Sequence, residues 1–284
     1  MIKKAAAARL RRAACRTLAL AVCGVLALTG CGAASAQPAS SAPAYSAQLR
    51  VGFDEDFPPF SYLGSNGEYV GLDIDLAKEV CRRNNWEFVP VPMSWDEKDT
   101  LLENGDIDCI WSCFSMVTRE DRYAWTIPYF RNQIVVLTAA GSPVRTFADL
   151  AGRRVYVQAA TNQSQQILTT YYSLEQSFDG LYFVDDASLA ILFLRRGEAD
   201  ACIIDGAAAD YYMSQYPAEM RRLDQTLSYD RCAVAFHLGS ESRAQTVSET
   251  LLAMEQDGAL SRIGASWGLQ DETCTDAQQG DTAA

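Results

Sequence analysis

Seven side chains of this 284-residue chain combine types that suit one small ligand carrying both signs of charge. Arg119 offers a guanidinium fork, which grips a carboxylate through two charge-assisted hydrogen bonds. Thr161 and Asn162, at the start of an expected helix, offer a hydroxyl and backbone amides to an anion. Asp54 and Asp205 offer carboxylates to a cation or an amide. Phe57 and Trp95 offer two aromatic faces. Taken singly, each has an ordinary reading: a solvated loop acid at Asp54, a core indole at Trp95, a surface ion pair from Arg119 to Glu120 or Asp121, a plain helix cap at Thr161 or Asp205. Taken together, the set complements an α-amino acid, with carboxylate, ammonium and a sandwiched side chain.

Strands alternating with helices must position these groups. The chain reads as strand Leu49–Phe53, helix Asp75–Asn84, strand Phe88–Val91, a helix Asp96–Asn104 stopped by Gly105, and strand Ile107–Trp111. Thr118 with Asp121 forms a capping-box pattern that predicts a further helix carrying Arg119. After strand Gln133–Thr138 the alternation restarts. Thr146 and Asp149 cap a short helix, and strand Val155–Gln158 leads to helix Asn162–Tyr171. Strand Leu181–Val184 follows, then a helix capped by Asp186 and closed by Gly197. Next come strand Ala201–Ile204, helix Ala207–Met213 and strand Cys232–His237. Helix Glu241–Gln256 and a short helix closing on Trp267 complete the order. Such alternation predicts mainly parallel α/β sheets, and two successive runs predict two lobes. Ligands in these sheets bind beyond the carboxyl ends of the strands, where all seven side chains fall.

Composition narrows the function. Six basic residues (Lys3, Lys4, Arg9, Arg11, Arg12, Arg16) precede the apolar run Thr17–Leu28, which is laid out as a secretory signal and is short for a membrane span. Leu28-Thr29-Gly30-Cys31 resembles a bacterial lipobox, so residues 1–30 are expected to be a lipoprotein signal peptide and Cys31 the lipidated residue. Beyond residue 30 the chain has 18 basic residues against 36 acidic ones. That balance argues against nucleic acid as a partner. It also makes an acyl chain, rather than a basic surface, the membrane link. The single histidine, His237, argues against histidine triads and multi-histidine metal sites. No cofactor is expected. Six cysteines follow Cys31, and free core thiols are the expectation, with a Cys202–Cys232 bridge left open. Residues 31–47 read as a flexible tether and 271–284 as a disordered acidic tail.

The chain resembles the family 3 extracellular solute-binding proteins, the amino-acid receptors of ABC importers. The resemblance covers residues 49–270. It is carried by Leu49–Phe60 with its Asp-Phe-Pro-Pro-Phe turn, Gly71–Ala77, Gly105–Ile110, Asp200–Asp205 and the closing Asp257-Gly258 and Trp267-Gly268. It implies a two-lobed, type II periplasmic-binding-protein-like α/β fold, with two crossover hinge strands (Asn132–Leu137 and Asp230–Phe236) and a ligand cleft between lobes. Lobe 1 would comprise residues 48–134 and 231–270, and lobe 2 residues 135–230. The resemblance implies Arg119 for the ligand carboxylate, and Ser115, the Cys113 carbonyl and Asp205 for the ammonium. It implies Asp54, Phe57 and Trp95 for the ligand's side chain, and Thr161 and Asn162 for the second-lobe anion turn. This sequence departs from the family where Cys113 replaces the usual glycine or serine, and where the turn reads Ala160-Thr161-Asn162. The implied partners are a polar L-amino acid and membrane permease subunits, the chain acting as an extracytoplasmic, lipid-anchored monomer without enzymatic activity. Two alternatives are a ligand sensor for signalling and a dehydratase-like enzyme on the same fold.

Overall fold

The computed structural model describes residues 47–275. The signal segment, Cys31, nearly all of the tether and the last nine residues lie outside the described residues.

The first sheet is built largely before residue 125. It uses β1 (Ala47–Asp54), followed by a small three-stranded sheet of β2 (Asp56–Phe57), β3 (Ser61–Leu63) and β4 (Tyr69–Val70). Helix α1 (Leu72–Asn84) leads to β5 (Trp86–Met93), a 3-10 turn at Trp95–Glu97, α2 (Lys98–Asn104), β6 (Cys109–Ile110) and β7 (Ala124–Trp125). The second sheet starts with β8 (Phe130–Ala139) and β9 (Arg154–Gln158), then α3 (Asn162–Leu168), α4 (Tyr172–Glu175), β10 (Gly180–Val184) and α5 (Ala187–Arg195). It continues through β11 (Ala201–Asp205), α6 (Gly206–Gln215) and β12 (Met220–Cys232). The chain then returns to the first sheet with β13 (Ala235–Phe236), α7 (Glu241–Gln256) and α8 (Ala259–Ser266). Strand orders are β5-β1-β6-β13-β7 and β10-β9-β11-β8-β12. The β1–β5, β1–β6, β9–β10 and β9–β11 pairs are parallel, as alternation with helices dictates.

The helix α1 shows how local sequence builds a lobe. Leu76, Ala77, Val80 and Cys81 form its buried stripe, each large apolar side chain contributing about 1.5–3 kcal/mol on burial. Gly71 precedes it at φ 137°, and a Cβ there would stand 2.1 Å from the Phe60 carbonyl oxygen, so no other residue fits. That contact clamps the Pro58–Phe60 turn against the helix start. In the second lobe, Val155, Val157, Ile203, Leu150 and Ile167 form a separate core.

Strands β8 and β12 pair antiparallel from Met220↔Ala139 to Cys232↔Phe130 and carry the chain between sheets. The second crossing strand therefore ends at Cys232, and Ala235–Phe236 already belongs to the first sheet, unlike the Asp230–Phe236 expectation. No helix follows Thr118. That residue sits at φ 65°, and Met116–Arg122 forms consecutive turns, so the helix-start argument for Arg119 fails. The expected helix Asn162–Tyr171 stops at Leu168. Residues 271–275 are tied down rather than disordered: the Arg131 amide donates to the Glu272 carbonyl, the Cys274 amide to the Tyr129 carbonyl, and the Thr275 amide to the Glu255 carboxylate.

Candidate functional site

Between the two sheets lies a small cavity of about 30 Å³, and all nine residues singled out from sequence border it. Asp54, Phe57, Trp95, Cys113, Ser115 and Arg119 come from the first-lobe loops after β1, β5 and β6. Thr161, Asn162 and Asp205 come from the second lobe, beyond β9 and at the end of β11. The strand-end rule explains the convergence, since both sheets point the carboxyl ends of β1, β6, β9 and β11 into one space.

Arg119 is 5% exposed and has no salt bridge. Its guanidinium stands 5.3 Å from the Phe114 ring centroid, and its buried Nη1 has no hydrogen-bond partner. Burial lowers its pKa. An unpaired buried cation is costly, so this guanidinium is set to receive an anion. The Trp125 indole holds the Arg119 carbonyl at 3.1 Å and fixes the turn beneath it.

Opposite stand carboxylates. Asp205 is 7% exposed and accepts from the Asn132 and Gln163 side-chain amides. Burial raises it to about 7, with the nearby Asp230 adding to the shift. Asp205 occupies the N-cap position of α6, but its side chain makes no capping hydrogen bond. Asp54 is 5% exposed and raised to about 6, again by burial first. Its Oδ2 accepts from Gln158 Nε2 at 2.8 Å, a direct bond between lobes. The Trp95 indole makes a second such bond, donating to the Ala160 carbonyl at 3.1 Å.

The Thr161 hydroxyl borders the cavity but is spent as a helix cap, accepting from the Ser164 amide and donating to the Gln158 carbonyl. Asn162 gives its amide to Asp230 at 2.8 Å, while its Oδ1 is buried and unpartnered. Phe57 packs on Phe60 with ring centroids 4.9 Å apart, and Trp95 meets Phe114 edge-on at 5.2 Å.

Five further residues complete the lining: Ser112, Phe114, Gln158, Gln163 and Asp230. Asp230, raised in pKa by burial, lies in the crossing strand β12, a place the strand-end rule does not search. Gln158 is the last residue of β9 rather than the first after it.

The cysteines correct the free-thiol expectation. Cys113 and Cys232 form a disulfide, Cα atoms 4.8 Å apart, spanning 119 residues. Among the described residues Cys81, Cys109 and Cys202 are free thiols, and they and Cys274 are buried. The bridge ties the site loop to the end of β12, and backbone bonds continue the seam: Ala233 donates to Phe114, and Met116 to Arg231. Cys113 sits at φ 40°, and its amide donates to Asp73 Oδ2 at 2.7 Å and to the Tyr129 hydroxyl at 3.1 Å. Ala160 also lies in the left-handed region, at φ 58°. Both are non-glycine residues in the left-handed region, at a cost of roughly 1–2 kcal/mol each.

A model of bacterial extracellular solute-binding proteins, family 3, matches residues 49–270. The chain belongs to that family. Among similar proteins, the L-cystine-binding protein TcyJ of Escherichia coli K12 is 26% identical over 230 residues, covering 79% of this chain and 84% of its own. The ABC transporter arginine-binding protein 1 of the same strain is 24% identical over 225 residues, covering 78% and 90%. The structure of an ancestral arginine-binding protein bound to glutamine superposes with a TM-score of 0.72 at 27% identity, covering 78% of this chain and 97% of that one. The fold of this solute-binding protein is accordingly the two-lobed type II arrangement expected from sequence.

Proposed function

We propose that this solute-binding protein holds a polar L-amino acid between its lobes and delivers it to the permease of an ABC importer. The observation that carries the reading is the unpaired Arg119 guanidinium, buried in a cavity whose other charges are the carboxylates of Asp54, Asp205 and Asp230. A carboxylate seated on Arg119 leaves an α-ammonium to meet the acids and Ser115, with Phe57 and Trp95 flanking the side chain. The relatives bear names of cystine- and arginine-binding proteins, which supports the ligand class. Hinge closure through β8 and β12 is the motion that loads and empties such a cleft. No reaction is assigned to the chain: Cys113, as half of a disulfide, presents no thiolate.

The chain works outside the cytoplasm as a monomer, held to the membrane by lipid on Cys31. The supporting features are the basic segment, the apolar run and Leu28-Thr29-Gly30-Cys31. Cys31→Ala should abolish incorporation of labelled fatty acid and release the protein from membranes, and continued labelling would remove the anchor.

A thermal-shift screen over the twenty amino acids, followed by calorimetry, tests the ligand. At least one should bind with micromolar affinity, about −8 kcal/mol, and raise the melting temperature by mass action. No binder among the twenty would refute the proposal.

A further inference from the structure

Beyond Asp54 and Trp95, which border both spaces, the cleft widens into an outer chamber of about 630 Å³. Its walls carry Asp54, Glu55, Asp56, Asp185 and Asp186, and no lysine or arginine is among its lining residues. Four tyrosines, Tyr62, Tyr211, Tyr212 and Tyr216, also line it. Tyr62 and Tyr211 lie with ring centroids 5.7 Å apart, and Tyr216 presents a ring whose one face already carries the Arg195 guanidinium at 3.6 Å. Tyrosine faces beside carboxylates are the surroundings an organic cation prefers.

Two details show that the wall is missing positive charge. The Tyr212 side chain lines the chamber, is 6% exposed, and its hydroxyl has no hydrogen-bond partner. Burial pushes its phenol up, and the charges of Asp56 and Asp186 add to the shift. An orphaned buried hydroxyl is rare and costly unless something meets it. Further, Ser188 Oγ lies 2.6 Å from Asp56 Oδ2 and 2.7 Å from Asp186 Oδ1. A hydroxyl has one proton to give. It can serve one of these carboxylates; the other must hold a proton of its own or meet the hydroxyl lone pair to lone pair. Asp56 belongs to the first lobe and Asp186 to the second, so closing the cleft brings these like charges together around one donor.

We propose that the outer chamber is a second binding compartment, taking an ammonium or guanidinium group among Asp56, Asp186 and the Tyr212 hydroxyl. Either of two sources supplies that cation: the far end of a long ligand whose head fills the inner cavity, or a separate small amine. The compartment adds to the amino-acid reading without depending on Arg119.

Agmatine, a guanidinium-tailed amine without a carboxylate, is the probe. Calorimetry on the purified protein should show saturable binding, weakened at least fivefold by Tyr212→Phe and by Asp186→Asn. Melting curves without agmatine control for folding, and Tyr212→Phe, which removes only an unpartnered hydroxyl, should melt no lower than the parent. Agmatine displaced by a saturating amino acid assigns the chamber to the tail of one long ligand, and agmatine bound alongside it assigns a separate amine. Absence of binding at millimolar agmatine, or equal affinity in both variants, overturns the compartment. The inner site stands or falls separately, on whether amino acids bind and whether Arg119 matters to them.

Discussion

The two ends of the cleft carry opposite charge. At one end Lys98, Arg119 and Arg122 gather around a space also bordered by Ala160 and Thr161, with Asp99 the one acid there. At the other end Glu55, Asp56, Asp185 and Asp186 join the buried Asp54 beside four tyrosines. The cavity between them inherits both, with Arg119 on one side and Asp54 on the other. On the proposed reading, a ligand with separated charges is oriented before it is gripped, carboxylate toward Arg119 and cationic or amide side chain toward Asp54. A ligand without a carboxylate loses the first end, and one with a distal anion is repelled by the second.

The largest break in this comparison is at Arg119. Replacing it with Ala should weaken amino-acid binding a hundredfold or more, since two charge-assisted bonds of roughly 1.5–3 kcal/mol each are lost. Calorimetry with the best binder from the screen reads this directly, and a change below threefold would take Arg119 out of the site. Next is Asp205→Asn, which keeps the hydrogen-bonding shape but removes the charge offered to the ammonium. A loss of about tenfold is expected.

Smaller, and more discriminating, is pH. Burial holds Asp54 near 6 and both Asp205 and Asp73 near 7, well above about 3.9 for an ordinary aspartate. Folding thus raises their proton affinity. The stability this linkage supplies is complete below about pH 4 and is lost as pH rises through 6 to 7. The ligand-free protein should melt lower at pH 8 than at pH 5. An ammonium favours the ionised acids, so affinity should run the other way and tighten severalfold over the same range. Parallel trends would contradict the assignment of the acids to the cationic group. The smallest effect is expected from Gln158→Ala, which removes the direct Gln158–Asp54 bridge between lobes. Affinity should fall two- to fivefold, mostly through faster ligand release in stopped-flow traces.

Much of this site was legible because its residues sit at strand ends. Asp54 follows β1, Asp205 closes the apolar run Ala201–Ile204, and Trp95 follows β5, so alternation plus the strand-end rule finds them. What the sequence hid depends on contacts made far along the chain. The Thr118–Asp121 pattern imitates a capping box, but the segment is drawn back to pair with Arg231–Ala233 and turns instead of winding. The Cys113–Cys232 pairing is invisible until the crossing strands bring the two together. Once it is known, Asp230 follows, because residues two apart on a strand face the same side. Register shifts between Arg222 and Ser228 blur the alternation of β12 that would otherwise have marked it as a strand.

The most direct test is a crystal structure of the complex with the tightest amino acid from the screen. The account predicts the ligand's α-carboxylate in a paired contact with Arg119 and its α-nitrogen on the side of Asp205 and Asp230, with the side chain between Phe57 and Trp95. A ligand seated elsewhere, or turned so that its nitrogen faces Arg119, would contradict it.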